Sequence, residues 1–316
     1  MKPISLAILW HQHQPYYKKD TEFILPWVRL HGVKDYTDLP LLIKEFPSIK
    51  QTINLAPSLM LQIEEYIHHT TIDKVERLTR TIATELSEME KREILRLFFL
   101  CNIQTMVLPH QRYRELFYHT TQEGNDAVNS FTSQDWLDIQ CWYNLTWIGQ
   151  ISRLDPKIQH LFQKGTNFTE EDKIVILEKH TEVLRSILPI LQELATSKQI
   201  EISVTPMYHP ILPLIIDTNS YLESTADGTL PEQRFSYPED AIWQLQEAYY
   251  YYTSCFHHQP NGCWPSEGSL SNEAINSIKH VGFNWTATDE QVLHQSVGEK
   301  LSPCQHFFPH SVQTPT

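Results

Sequence analysis

The chain has 316 residues, of which 41% are hydrophobic and 20% charged, and its formal net charge is −13 with histidine neutral. That length suits one large α/β barrel or two ordinary domains, and the apolar content is enough to bury a sizeable core. So acidic a chain repels phosphate backbones, which argues against nucleic acid as a partner, whereas neutral sugars are not repelled.

The first predicted element is Ile4 to Trp10, a short apolar run without helical period, as in a strand buried on both faces of a parallel sheet. It is too short to cross a membrane and lacks a small-residue cleavage site, so no membrane partner is expected. A loop rich in aromatics and histidine follows, from His11 to about Tyr36. Asp38 is predicted to cap a short helix with Pro40 in its first turn. A second strand, Ile49 to Leu55, leads through Pro57 into a helix from Ser58 to Ile67. This strand–helix–strand–helix order implies a parallel sheet with crossover helices.

From about residue 73 to 195 the pattern changes to successive amphipathic helices, among them Arg92 to Cys101, Gln134 to Ile148 and Glu170 to Leu194. Thr169 and Asp172 nearly form a capping box for the last. This stretch is expected to be a helical insertion on one barrel loop. The sheet pattern resumes at Gln199 to Thr205, where Ile200, Ile202 and Val204 alternate with polar neighbours. Then come a helix from Glu239 to Phe256, a short strand at Cys263-Trp264, a helix from Asn272 to His280 and a strand from Phe283 to Thr288. Residues 4–10, 49–55, 199–205 and 283–288 are expected to be parallel neighbours, with an open sheet edge at the last. Leu301 to Thr316 carries Pro303, Pro309 and Pro315 and no periodicity. The expected organisation is therefore a partial barrel over 1–300 and an irregular tail over 301–316.

The five cysteines (Cys101, Cys141, Cys255, Cys263, Cys304) are odd in number, widely spaced and without a CxxC pair. This disfavours a disulfide framework or a zinc knuckle and suits a reducing compartment, so a cytoplasmic location is expected.

Polar side chains gather just after the predicted strand ends: His11 and His13, Tyr208 and His209, Glu267, and Asp289. In a β/α barrel the carboxyl ends of the strands form the active face, so these segments converge on one pocket. Each residue also has a plain structural reading. Asp289 can cap a helix starting near Gln291, His11 and His13 can brace their loop, and Trp264 can be core. Glu267 is not needed as a cap, because Ser269 or Ser271 can serve the next helix. Two carboxylates on facing loops are what glycosidic cleavage requires, one to protonate the leaving oxygen and one to attack or to activate water. Trp264 beside them suits stacking on a pyranose face.

At these residues the sequence resembles glycoside hydrolase family 57, a group of α-amylases, 4-α-glucanotransferases, branching enzymes and amylopullulanases. The matching stretches are His13-Gln14-Pro15, Gln199-Ile200-Glu201-Ile202 leading into Tyr208-His209-Pro210, Gly262 to Ser269, and Thr286-Ala287-Thr288-Asp289. The block around Trp264-Pro265-Ser266-Glu267-Gly268 is the most specific. The resemblance implies an incomplete (β/α)7 barrel related to the TIM barrel and an α-glucan or oligosaccharide substrate. It also implies a retaining double displacement with Glu267 as nucleophile and Asp289 as acid/base. His11 and His13 match histidines lining the family's substrate pocket, where Tyr208, His209 and Trp264 are also expected, and Glu201 takes a supporting role. No metal or organic cofactor is implied. Similar proteins continue past the fourth block with further strands and a C-terminal helical domain, so these are expected to be missing here.

Two other readings stand beside this one. His11, His13, His209 and Asp289 could hold a metal in a metal-dependent hydrolase or deacetylase. The chain could also be a catalytically incompetent, sugar-binding fragment.

Overall fold

The computed structural model describes residues 5–225, 227–297, 305 and 308–313. The chain divides into two compact units, one built from Met1–Tyr16, Ile49–Met60 and Ala195–Thr316, the other from Tyr17–Ser48 and Leu61–Leu194. The architecture is mostly helical α/β, with a parallel sheet at the centre of the first unit.

Among the described residues that sheet has five strands in sequence order: β1 (Leu9–Gln12), β2 (Gln51–Leu55), β3 (Ile200–Val204), β4 (Gly262–Cys263) and β5 (Trp285–Thr286). Every neighbouring pair is parallel. Side chains alternate between faces along a strand, so register decides which residues meet. Ile53, Leu55, Ile202, Val204 and Cys263 share one face and are almost wholly buried. His11, Asn54 and Ser203 lie abreast on the other face. Glu201, two residues before Ser203, is on that same face and exposed.

The expected parallel strands share one sheet, but β3 and β5 are not neighbours, because β4 lies between them; among the described residues β5 is the last strand. β1 differs from the expected 4–10, starting at Leu9 and including His11. Its described neighbour β2 begins at Gln51 in the register Leu9↔Thr52, so earlier residues run past the end of their partner. Residues 1–4 lie outside the described residues. So does most of the expected tail over 301–316, of which 308–313 are exposed and without helix or strand.

The second unit packs helices around Ser133–Trp147, whose residues from Trp136 to Trp147 are all buried. A helix apolar or satisfied on every side belongs in a core. Thr132 and Asp135 form its capping box. At the unit's centre the buried Arg29 donates to Asp73 at 2.6 and 3.2 Å, to Asn144 Oδ1 at 2.9 Å and to His180 Nδ1 at 2.9 Å. Tyr66 donates to the same Asp73 carboxylate at 3.0 Å.

Two local expectations change. Asp38 does not cap a helix: the helix runs Asp35–Glu45 with Pro40 inside it. The Asp38 carboxylate instead accepts from the Gln150 and Ile151 amides at 2.7 and 3.4 Å. The expected loop from His11 to Tyr36 contains a helix, Trp27–Gly32, and two strands, Lys18–Lys19 and Glu22–Phe23, that join Ile72–Asp73 in a small second sheet. Two-residue strands carry no periodicity for a sequence to display. None of the described helices is long and apolar enough to cross a membrane.

Candidate active site

The polar face of the first unit's sheet places His11 on β1. Its Nδ1 is 2.7 Å from Asn54 Oδ1, and Asn54 Nδ2 donates to Ser203 Oγ at 3.1 Å. With the amide nitrogen committed to Ser203, the Asn54 oxygen must accept, so His11 carries its proton on Nδ1. Asn54 and Ser203 are fully buried and were not foreseen as site residues. Their signal was a polar residue inside each of two apolar strands, at positions that pair in register with His11 and with each other.

Three histidines cluster here. His13 and His209 stack with ring centroids 3.8 Å apart and planes 19° from parallel. His11 lies 5.6 Å from His13 and 5.5 Å from His209, and 5.2 Å from the Trp264 ring. Burial pushes the His13 pKa down to about 4, and His209 and His11 add to the effect. His209 is also lowered, chiefly by burial and then by His11, while Glu267 pulls in the opposite direction. At neutral pH both stacked rings are therefore neutral, each with one N–H donor and one acceptor.

Glu267 follows β4 in a single turn of 3-10 helix, Ser266–Gly268. Its backbone is left-handed at φ 56°, and Gly268 follows at φ 64°. Two consecutive left-handed residues turn the chain sharply, and glycine bears the second at no steric cost. Gly268 O accepts from Thr288 Oγ1 at 2.7 Å. A Cβ built on Gly268 would lie 3.7 Å from Thr288 Cα and 3.8 Å from Asp289 N. The turn bearing Glu267 and the segment bearing Asp289 are thus tied together. Both carboxylate residues are exposed, so Asp289 is not the drier member expected of a general acid. Asp289 also caps the next helix, its Oδ1 accepting from Val292 N at 2.9 Å, as its structural reading anticipated.

The matching profile is that of glycosyl hydrolase family 57, over residues 7–314. The chain belongs to glycosyl hydrolase family 57. No curated protein gives a significant match to it. Similar solved structures include the alpha-amylase AmyC from Thermotoga maritima, at 13% identity and a TM-score of 0.42, covering 90% of this chain and 39% of that one. The GH57 branching enzyme TK1436 from Thermococcus kodakaraensis gives 14% and 0.38, covering 83% and 32%. The GH57-type branching enzyme from Pyrococcus horikoshii gives 15% and 0.37, covering 83% and 34%. This family 57 chain therefore spans well under half the length of these structures.

Of the residues singled out in the sequence, His11, His13, His209 and Trp264 come together, and Glu267 lies near enough to act on His209. Tyr208 turns instead toward Tyr16 and Trp243. Glu201 accepts from Trp285 Nε1 at 2.7 Å and from Asn261 Nδ2 at 3.3 Å, a bracing role lower on the same face. The three histidines offer ligand atoms within 4.8 Å of one another. Their geometry opposes chelation, because an ion lies in the plane of each imidazole that binds it. The His13 and His209 planes, stacked and nearly parallel, do not converge at bonding distance.

Proposed function

We propose that this family 57 chain cleaves or transfers α-linked glucosyl units with retention of configuration, Glu267 attacking the anomeric carbon and Asp289 serving the leaving oxygen. The observation that carries the reading is the tie between the Glu267 turn and the Asp289 segment through Gly268 and Thr288, beside the histidine cluster. In the first step the Glu267 carboxylate bonds to the anomeric carbon as the glycosidic C–O bond breaks, and the departing oxygen takes a proton from Asp289. In the second step a water or a sugar hydroxyl gives its proton to Asp289 and displaces Glu267. Asp289 Oδ1 is engaged with Val292 N, so Oδ2 carries the proton. Neutral His13 and His209, and His11 through Nε2, suit exchange of hydrogen bonds with sugar hydroxyls, and Trp264 suits stacking on a pyranose.

The five parallel strands fit part of an incomplete (β/α)7 barrel, with the helices over about 73–195 as an insertion on one of its loops. The free thiols Cys101, Cys141 and Cys263 suit the cytoplasm. The anomeric form of the first product from a maltooligosaccharide, followed by proton NMR before mutarotation, tests the reading. The α-anomer is expected, and the β-anomer would overturn it. A second reading, sugar binding without turnover, is favoured by the exposure of both carboxyls. Binding of maltooligosaccharides with no product formed would select it.

A further inference from the structure

Tyr208 sits next to His209 in the chain, at the mouth of the histidine cluster. Its ring meets Tyr16 edge-on at 5.6 Å and 64°, and lies 6.4 Å from Trp243 at 22°. Rings nearly parallel at that separation are offset rather than eclipsed. Tyr16, Tyr208 and Trp243 are 36%, 43% and 47% exposed. Single exposed apolar residues are ordinary, but three contiguous aromatic rings form a patch of the kind that binds something.

The patch is held in place. Gln244, beside Trp243 on the helix Pro238–Phe256, accepts from Tyr208 N through its side chain at 2.8 Å and from Met207 N through its carbonyl at 3.0 Å. His209 N returns to Pro206 O at 3.0 Å, with His209 left-handed at φ 58°. Tyr16 ends the segment that carries His13. Tyr16 and Tyr208 therefore stand on the backbone that positions two of the three histidines, and Trp243 on the helix hydrogen-bonded to that backbone.

We propose that Tyr16, Tyr208 and Trp243 form a stacking track that binds further glucosyl units of an α-glucan beyond the cleavage point, with Trp243 as the outer, length-reading residue. This rests on the glycosidase reading of the adjoining pocket. A pyranose presents an apolar C–H face to an aromatic ring while its rim hydroxyls stay in water. Half-exposed Tyr and Trp rings offer that combination of open face and wet polar tip. The track makes affinity grow with chain length.

Calorimetric binding of maltotriose and maltoheptaose to the Glu267→Gln chain tests it, with and without Trp243→Ala. Losing one stacking ring should weaken maltoheptaose by roughly tenfold and maltotriose by less than about twofold. Equal losses for both sugars, or none for maltoheptaose, would overturn the track while leaving the pocket's reading intact. If neither sugar binds nor is turned over by the unaltered chain, the pocket's reading fails and takes the track with it. Trp243→Phe guards against a folding artefact. It should keep most of the maltoheptaose affinity yet lose part of the sugar-induced change in tryptophan emission. An unchanged emission response in that variant would remove Trp243 from the track.

Discussion

His13 and His209 lie ring on ring, centroids 3.8 Å apart and 19° from parallel, and burial holds both in the neutral form. Two neutral imidazoles can stack where two imidazolium ions would repel, and stacked planes cannot share one ion. Dialysis against EDTA is therefore expected to leave α-glucan turnover unchanged. A loss that zinc restores would revive the metal-dependent reading and contradict this one.

Arg29 and Asp73 are both buried, and removing one partner of such a pair strands the other charge. Arg29→Met should lower stability by about 3–5 kcal/mol in urea unfolding. The Asn144 and His180 acceptors lose their donor as well. A loss below about 1 kcal/mol would mean the cluster is better solvated than its burial implies.

His180 gives a pH test. Its Nδ1 accepts from Arg29 and its Nε2–H donates to Asn144 O at 3.0 Å, so no site remains for a second proton. Burial first, then the Arg29 charge, lowers its pKa from 6.5 to about 3. Between these values the unfolded chain binds a proton that the folded chain refuses, so stability falls as pH falls below 6.5. The slope from this residue is at most about 1.4 kcal/mol per pH unit. His180→Gln should flatten the measured dependence between pH 6.5 and 4.5 by that amount, whatever it does to stability at pH 7. An unchanged slope would contradict the assignment.

What could be read in the sequence followed the strength of its periodic signals. Long amphipathic stretches such as Glu170–Thr196 and strands such as Ile200–Val204 announced themselves within a few residues. The two-residue strands at Lys18–Lys19 and Glu22–Phe23 did not, because alternation needs more positions than they have. Among the candidate site residues, the histidines and carboxylates could be picked out by their places after strand ends. Asn54 and Ser203 were not, because their role comes from cross-strand register with His11, and register is a property of pairing.

Gly262 illustrates a close approach rather than a turn. A Cβ there would lie 2.0 Å from Trp285 Cε2, inside the ring that donates to Glu201. Gly262→Ala must push Trp285 aside and strain the pairing of β4 with β5. A destabilisation of about 1–3 kcal/mol is expected, with a change in Trp285 emission. A variant as stable as the parent would show that Trp285 packs more loosely than its hydrogen bond indicates.

Covalent trapping tests the proposed role of Glu267 as nucleophile. A fluorinated α-glucosyl fluoride slows the second displacement, so a retaining enzyme accumulates its glycosyl intermediate, visible as added mass on one peptide. The label is expected on Glu267, and none in Glu267→Gln. A label on any other carboxylate, or full turnover of a maltooligosaccharide by Glu267→Gln, would contradict it.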